Sequence, residues 1–307
     1  MDGLIIVDKP DGWTSHDVVL KLRKILRLKR VGHAGTLDPL ATGVLLVTVG
    51  QATRLFPYLA GMDKTYSGEI RLGLATDTYD SQGKPLGPEK NIFPLEKELL
   101  AAVASLVGEI SQLPPPYSAK KINGQPAFKL ARRGLTPELQ PVNVTIHRFL
   151  VLDYNPPLVK FLVECSSGTY VRSLAHDLGQ KLGCGAHLFS LRRLAVGRYT
   201  EEEALRPGKI EELAREKAFE QFLLPLESLL PDYPALWVDQ EGARAFNHGA
   251  RIGLGQITRA VMAGSRLTVT HLFRVFSEQG KLLGLARFEA REKFFQPELV
   301  LGSSQAT

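Results

Sequence analysis

The chain is poor in cysteine and has no long apolar run. Its two cysteines, Cys165 and Cys184, cannot build a structural zinc site alone, and no histidine-rich spacing accompanies them, so no metal is expected. The longest apolar runs, such as Val44–Val47, fall far short of the ~20 residues of a membrane span. Leu4–Val7 is too short for the apolar region of a signal peptide. These absences predict a cytoplasmic protein with reduced thiols and no membrane contact.

Positive charge is in excess, with a formal net charge of +6, and its distribution is more informative than its total. Three basic clusters flank glycine-rich turns. Each cluster is compatible with a solvated helix face, but three of them together favour a groove that holds the phosphates of a nucleic acid. The clusters are Lys21, Arg23, Lys24, Arg27, Lys29 and Arg30; then Lys120, Lys121, Lys129, Arg132 and Arg133; then Arg192, Arg193 and Arg198.

The first two thirds of the chain alternate between strand and helix signals. Thr14 or Ser15 can cap a helix whose apolar residues between 18 and 26 recur at helical spacing. A second helix is predicted at 173–182, where Gly183 ends it. This alternation predicts an α/β (α+β) fold with a mixed sheet. The predicted strands are Leu4–Val7, Val44–Val49, Tyr66–Leu72 and Phe161–Cys165.

Proline residues at 225, 231 and 234 mark a linker that divides the chain. A short helix at 240–248 follows it, and then a hairpin is predicted, in which strands at 272–276 and 282–288 are joined by a turn containing Gly280. We therefore predict a mixed body at 1–230 and a small β-rich domain at 231–303. Within the body, the proline-stiffened, cation-rich segment at about 113–140 is predicted to be an insertion that could close over a ligand.

The segment Gly32–Gly43 carries the strongest chemical signal, because three glycines and one proline shape the backbone around a single carboxylate. Glycine permits backbone conformations that other residues resist, and Pro39 fixes the chain directly after Asp38. Such a loop can hold Asp38 and His33 at the mouth of a cleft. The structural alternative, in which Asp38 is only a turn residue before proline, is favoured by propensity alone.

Gly32–Gly43 resembles the catalytic-loop motif of the TruB family of tRNA pseudouridine synthases. Further segments resemble other motifs of that family, in the family's order, across most of residues 3–200. They are Lys9-Pro10 with Gly12, Lys64-Thr65-Tyr66, Leu72-Gly73 with Thr76-Asp77-Thr78, Pro115–Ala119 with Lys121, Gly124 and Ala131-Arg132, Gly168–Leu174, and Leu182–His187 through Leu191–Arg193. One departure is Phe128, where the family usually has tyrosine.

The resemblance implies an enzyme that isomerises uridine to pseudouridine at position 55, in the T-loop of tRNA. It also implies a mainly antiparallel catalytic sheet with flanking helices, an RNA-gripping insertion and a small PUA-like RNA-binding domain at the C-terminus. The reaction changes no redox state and adds no group, so no cofactor is expected. An ionised aspartate can act as a nucleophile at neutral pH. Whether Asp38 attacks the sugar, adds to the base or removes a proton stays open.

By the same resemblance, Arg172 pairs with Asp38, and Tyr170 lies against the uracil and is a candidate for proton transfer. Tyr66 stacks on the uracil once the base has been flipped out of the RNA. His33 contacts the displaced nucleotide, and Leu191 offers backbone groups to the uracil edge. The remaining predicted contacts to RNA are made by Lys9, Lys64, Lys121 and Arg132. Each of these residues alone has an ordinary structural interpretation, as a core, strand or surface residue.

The expected partner is the T-arm of tRNA, bound by a monomer without a protein partner. Two other classes of protein remain open at the level of sequence. One is an RNA-binding protein that grips tRNA without turnover, and the other is a modifying subunit that depends on a guide RNA and partner proteins.

Overall fold

The computed structural model describes residues 1–118, 120–122, 124–126, 139–262 and 272–302. Half of the predicted insertion at 113–140 therefore lies outside the described residues, including Arg132 and Phe128, and for Lys121 only the backbone is described. In the described part of the chain, no helix combines the length and the apolar character that crossing a bilayer requires.

Eighteen strands and six α-helices make up the described fold. The strands are β1 (Gly3–Lys9), β2 (Val31–Ala34), β3 (Ala41–Val49), β4 (Lys64–Leu72), β5 (Gly108–Gln112), β6 (Lys121–Ile122), β7 (Gln125–Pro126), β8 (Val142–Asn155), β9 (Leu158–Cys165), β10 (Ala186–Val196), β11 (Tyr199–Thr200), β12 (Leu224–Pro225), β13 (Ala235–Val238), β14 (Ile252–Gly253), β15 (Ile257–Val261), β16 (Leu272–Ser277), β17 (Leu282–Glu289) and β18 (Phe294–Val300). The helices are α1 (Ser15–Leu26), α2 (Phe56–Ala60), α3 (Glu96–Ala104), α4 (Val171–Lys181), α5 (Pro207–Arg215) and α6 (Gln240–Asn247). Short 3-10 segments lie at Gly50–Leu55, Glu201–Glu203, Phe219–Gln221, Leu226–Ser228 and Leu254–Gln256.

The body is organised around a ten-stranded sheet in the order β12-β1-β3-β10-β4-β9-β8-β5, with β2 paired to β3 and β11 paired to β10. All of its pairings are antiparallel except the one between β3 and β10. A six-stranded sheet in the order β14-β18-β17-β16-β13-β15 forms the C-terminal part, and it includes the predicted hairpin β16–β17. The predicted fold class, a mixed and mainly antiparallel sheet with flanking helices and a β-rich C-terminal part, is confirmed.

The first helix begins where its sequence predicts. Thr14 caps it: the Thr14 hydroxyl accepts a hydrogen bond from the Asp17 backbone N–H at 3.1 Å, and the Asp17 carboxylate accepts one from the Thr14 backbone N–H at 2.8 Å. Val18, Val19 and Leu22 on one face of the helix are buried. The basic residues of α1 are thereby directed away from the core, as amphipathic spacing requires.

Two predicted boundaries were wrong, and both corrections matter for the site. The glycine-punctuated segment is not a loop from residue 32, because Val31–Ala34 pairs with β3 and places His33 on a strand. The second helix begins at Val171 and ends at Lys181, with Tyr170 as its N-cap residue, rather than beginning at 173. Arg172 therefore lies in the first turn of α4. Neither start was visible from propensity, because sheet pairing and the loop before α4 fix them.

The two faces of the large sheet pack differently. One face is covered by α1, α3, α4 and α5 and holds the main core cluster, in which Val19, Leu174 and Ile210 pack on Val47 and Phe161. The other face packs against the segment around α2 and against the C-terminal part. That second cluster contains Leu229, Leu230 and Leu285 together with buried side chains of β1 and β3, and Leu299 packs against it. The segment predicted as a linker is thus partly buried, and the C-terminal part is packed on the body.

Candidate active site

Asp38 lies in the short loop between β2 and β3, and buried hydrogen bonds hold this loop in place. The Ser15 hydroxyl accepts a hydrogen bond from the Leu37 backbone N–H at 2.8 Å and donates one to the Leu37 carbonyl at 3.1 Å. The Lys9 ammonium donates to the Pro39 carbonyl at 3.2 Å from the other side. The residues before and after Asp38 are therefore fixed by the start of α1 and the end of β1.

Arg172 contacts Asp38 at two points. Its Nη2 donates a hydrogen bond to Oδ1 at 3.0 Å, and its Nε lies 2.9 Å from Oδ2. The Arg172 side chain is 6% exposed, whereas that of Asp38 is 36% exposed. The pairing predicted from the sequence is thus present in the structure. It leaves a carboxylate that is oriented by a buried cation and still accessible from the cavity.

A second carboxylate lies behind the first. Asp80 is buried, and its Oδ2 is 3.5 Å from Nη1 of Arg172. Nη1 also donates to the Thr78 carbonyl at 3.1 Å, and Nη2 donates to the Tyr117 carbonyl at 3.0 Å. Arg172 therefore connects Asp38 to three other parts of the chain, which are α4, the loop before Asp80 and the start of the insertion. Asp80 was not predicted from the sequence, although it follows the Thr76–Thr78 motif by two residues.

Asp38 and Arg172 line a cavity of about 410 Å³. Its wall includes four more of the predicted site residues, which are Tyr66, Tyr170, Leu191 and Lys64. Sheet register brings them together, because β10 places Leu191 beside Ala41 of β3 and Arg193 beside Tyr66 of β4. Six residues from separate parts of the sequence therefore converge on one space.

A larger cavity of about 510 Å³ lies on the opposite face of the same strands, lined by Ser67, Glu69 and Arg192 among others. The Arg192 guanidinium is ion-paired with Asp8 and Glu201, at 2.9 and 2.7 Å. Glu69 accepts a hydrogen bond from Ser190. Among the described residues that line this cavity, no carboxylate is oriented by a buried cation as Asp38 is, so the smaller cavity is the candidate active site.

Lys9 and Lys64 are buried rather than presented to solvent. The Lys9 ammonium donates to the carbonyls of Pro10, Trp13 and Pro39, and the Lys64 ammonium donates to those of Ala60 and Met62. Burial lowers the pKa of each ammonium to about 8. Lys64 lines the cavity, whereas Lys9 lies behind the loop, a position that favours holding the loop over contacting RNA.

His33 lies on β2, outside the cavity wall, and its side chain is half-buried. Burial lowers the pKa of His33, and the charge of Arg193 lowers it further, so the neutral imidazole is favoured. Its Nδ1 is buried without a hydrogen-bond partner in the described part of the chain. A neutral ring with a free nitrogen is suited to a hydrogen bond from or to a nucleotide.

Tyr170 is positioned by a residue that the sequence did not reveal. Gln112 is fully buried at the end of β5; its Oε1 accepts from the Tyr170 backbone N–H at 2.8 Å, and its Nε2 donates to the Tyr170 carbonyl at 3.1 Å. Ser173 adds a hydrogen bond to the Leu113 carbonyl at 2.7 Å. The end of β5 is thereby fastened to the start of α4. A lone glutamine on a strand carries no sequence signal for this role.

Replacing Gln112 by glutamate is expected to lower the single-turnover rate on substrate RNA roughly tenfold, with a smaller change in RNA affinity. Glutamate keeps the size and one acceptor but loses the donor to the Tyr170 carbonyl, and a small displacement of a positioned group is costly in rate. The matched control is Gln51→Glu, at a half-buried position outside the cavity. Equal rates for the two variants would show that the Gln112 contacts do not position Tyr170.

No group of three or more histidine, cysteine, aspartate or glutamate side chains within the described ranges is arranged to hold a metal ion. Cys165 and Cys184 are both buried as free thiols, and burial raises the pKa of the Cys165 thiol to about 11. Both therefore contribute to packing.

Comparison with family models and curated proteins gives a consistent result. Residues 23–171 match the N-terminal domain model of the TruB family pseudouridylate synthases, and residues 172–231 match the C-terminal domain model of tRNA pseudouridylate synthase B. The chain is 43% identical over 249 residues to tRNA pseudouridine synthase B of Solibacter usitatus, covering 81% of this chain and 85% of that one. It is 43% identical over 312 residues to the protein of the same name from Thermobifida fusca, covering 99% of each.

Solved structures show the same fold in a different assembly. The chain aligns with a protein of an H/ACA ribonucleoprotein bound to a substrate RNA containing 2'-deoxyuridine, with a TM-score of 0.74, 26% identity, and coverage of 99% of this chain and 86% of that one. It aligns similarly with a chain of a Cbf5-Nop10-Gar1 complex, with a TM-score of 0.75, 28% identity, and coverage of 97% and 84%. Both alignments extend through the C-terminal part.

Proposed function

The chain belongs to the TruB family of pseudouridylate synthases, and on that premise we propose that it isomerises uridine 55 in the T-loop of tRNA. It is an isomerase that converts uridine of tRNA to pseudouridine, as its curated relatives are named to do. The position of the uridine within tRNA and the route through Asp38 are the parts that we propose.

The observation that carries the proposal is the contact between Asp38 and Arg172 at the wall of a cavity that also contains two tyrosines. The buried guanidinium orients the carboxylate at the cavity wall. Asp38 then forms the covalent or proton-transfer contact that releases uracil from the ribose. A cavity of about 410 Å³ has room for a nucleoside, and the uridine leaves the RNA stack to enter it.

Three residues are proposed to hold the extruded uracil. Tyr66, buried on β4, stacks on the ring and offsets the cost of flipping, since such stacking contributes about 1–3 kcal/mol per base. Leu191 packs against the uracil edge without adding charge, which suits a neutral base. Tyr170 lies against the ring, and burial raises the pKa of its hydroxyl, so it stays protonated and able to donate a hydrogen bond.

The remaining contacts are proposed to bind the RNA around the target. His33 contacts the displaced nucleotide, and the insertion supplies Lys121 and Arg132 to the phosphates. Lys9 supports the loop from behind, whereas Lys64 forms part of the cavity wall. The region at 231–303 acts as a PUA-like domain that meets the acceptor end of tRNA. Its attachment to the body, which includes a hydrogen bond from Tyr58 to Glu298 at 3.1 Å, would give that contact a fixed orientation.

The test uses the purified full chain and an unmodified T-arm hairpin with a single uridine at the target position, without cofactor, guide RNA or other protein. We expect pseudouridine at that position, detected by mass spectrometry after chemical labelling, and none when the target is cytidine. A chain that modifies RNA only when guide RNA and partner proteins are added would instead be a guide-dependent subunit. A chain that binds the hairpin and never modifies it would be a binding protein.

A further inference from the structure

Arg193 is a buried cation that the mechanism described so far does not use. Its side chain lines the cavity, yet the residue is only 1% exposed. Nε donates to the Val44 carbonyl at 2.6 Å, and Nη2 donates to the Gly35 carbonyl at 3.1 Å. Across the described ranges, no carboxylate oxygen lies within 4 Å of its guanidinium. The charge is thus held by neutral partners, which are these two carbonyls and the Tyr66 hydroxyl.

Lys64 is a second buried cation in the same cavity wall, and its partners are also neutral. Its ammonium is buried and bonded to two carbonyls, again with no carboxylate within 4 Å in the part of the chain that the structure describes. The described wall holds the cations Lys64, Lys120, Arg172 and Arg193, but only one carboxylate, Asp38. Because Asp38 is already paired with Arg172, the cavity carries a positive charge that the protein itself does not neutralise.

An unpaired buried charge is expensive, and proteins usually pair it or remove it. A neutral donor such as glutamine could bond the Gly35 and Val44 carbonyls at a lower cost. The charge of Arg193 also lowers the pKa values of His33, Lys9 and Lys64, so its field reaches across the site. Two uncompensated cations in one wall indicate that negative charge arrives there during the reaction.

Such charge arises on the base whichever route Asp38 takes. When the bond between the ribose C1′ and the uracil N1 breaks, the electron pair stays with the base, which becomes an anion delocalised over N1, O2 and O4. Meanwhile either C1′ forms a bond to the Asp38 carboxylate, or the carboxylate removes the proton from C2′ and a C1′–C2′ double bond forms. The electron pair is returned when C5 bonds to C1′, as the bond from C1′ to Asp38 breaks or Asp38 returns the proton to C2′. The C5 proton then leaves and N1 is protonated. If Asp38 adds to C6 instead, the negative charge develops on C5 and O4 of the same base.

We propose that Arg193, assisted by Lys64, stabilises the negative charge that develops on the uracil while it is detached from the ribose. This inference rests on the proposed function, since it concerns the same cavity. Preorganised positive charge in a water-poor site is an effective way to lower such a barrier, because it needs no rearrangement as the charge develops.

The test compares two RNA hairpins on each protein in single-turnover experiments. One carries uridine at the target and the other carries 5-fluorouridine. The fluorine withdraws electrons and stabilises the anion of the detached uracil, so that its formation depends less on the protein's cations. The products, with base and ribose joined through carbon, are quantified by mass spectrometry of the digested RNA. Arg193→Gln is expected to lower the single-turnover rate on the uridine hairpin by about 100-fold. On the 5-fluorouridine hairpin, the factor by which the rate falls is expected to be at least ten times smaller. The ratio of the two rates is independent of how much protein is folded.

Two further variants and a matched control accompany Arg193→Gln. Arg193→Lys keeps the charge and is expected to retain the wild-type ratio of rates. Lys64→Met removes the second cation and is expected to shift the ratio in the same direction. Arg192→Gln is the control, because Arg192 is the neighbour on β10 that faces the opposite side of the sheet and is paired with Asp8 and Glu201. Its ratio should match that of the wild type.

Equal slowing of both RNAs in Arg193→Gln would overturn the proposal, since a structural role affects both substrates alike. If that variant does not fold, Lys64→Met decides, and an unshifted ratio there overturns the proposal too. A wild-type enzyme that converts neither RNA would refute the proposed function. A wild-type enzyme that converts both, with ratios unchanged in the variants, would refute only the role of these cations.

Discussion

Replacing Asp38 by asparagine is expected to lower the single-turnover rate of pseudouridine formation by at least about 10⁴-fold, as removal of a nucleophile does in other enzymes. Asparagine has nearly the same shape, and its amide oxygen can still accept the hydrogen bond from Arg172 Nη2. It lacks the negative charge that attack or proton removal requires. The loss should therefore fall on the chemical step.

The affinity for the T-arm hairpin should stay within about threefold of wild type, because a neutral side chain next to a phosphate-rich ligand does not weaken binding. The measurements are single-turnover rates at saturating enzyme and a filter-binding titration. Asp153→Asn, at an exposed position on β8, serves as the matched control and should keep full activity. An Asp38→Asn enzyme with more than about one hundredth of the wild-type rate would exclude Asp38 as the essential group.

The sequence was sufficient to predict the site residues that carry local signals. Glycine and proline around Asp38 mark an unusual loop, and the capping residues before α1 fix the helix that supports it. The order of the motifs also places Tyr66, Tyr170 and Leu191 in one functional unit, and the structure brings them to the same cavity. Strand positions follow from apolar runs, since a strand buried in a sheet needs them.

Residues that act through tertiary contacts could not be predicted in this way. Gln112 and Asp80 are polar residues that become meaningful only when β5 and the Thr78 loop meet α4. Arg193 belongs to a cluster of cations that favours a groove for phosphates, yet strand alternation turns it inward and Arg192 outward. The left-handed backbone of Gly43, with φ of 95°, has a similar origin, because a Cβ there would lie 2.2 Å from the Arg193 carbonyl oxygen.

Arg172→Met is expected to lower the single-turnover rate about 10³-fold and to destabilise the protein by about 3 kcal/mol, the range found when one partner of a buried ion pair is removed. Arg172 is the common partner of Asp38, Asp80 and two backbone carbonyls, and methionine can replace only its apolar stem. Rate loss follows because Asp38 is no longer oriented. Stability loss follows because Asp80 remains buried and charged without its cation.

These two effects can be separated with the double variant Arg172→Met/Asp80→Asn. Asparagine at 80 removes the uncompensated charge and keeps an acceptor for the Thr78 hydroxyl and the Gln82 backbone N–H, which bond Asp80 Oδ1 at 2.6 and 3.1 Å. The double variant should therefore recover part of the free energy of unfolding, measured by urea denaturation, relative to Arg172→Met. Its rate should remain low, because nothing in it restores the contact to Asp38. A double variant that regains the rate along with the stability would mean that Arg172 serves only the fold. One that regains neither would mean that the unpaired Asp80 side chain is not the cause of the lost stability.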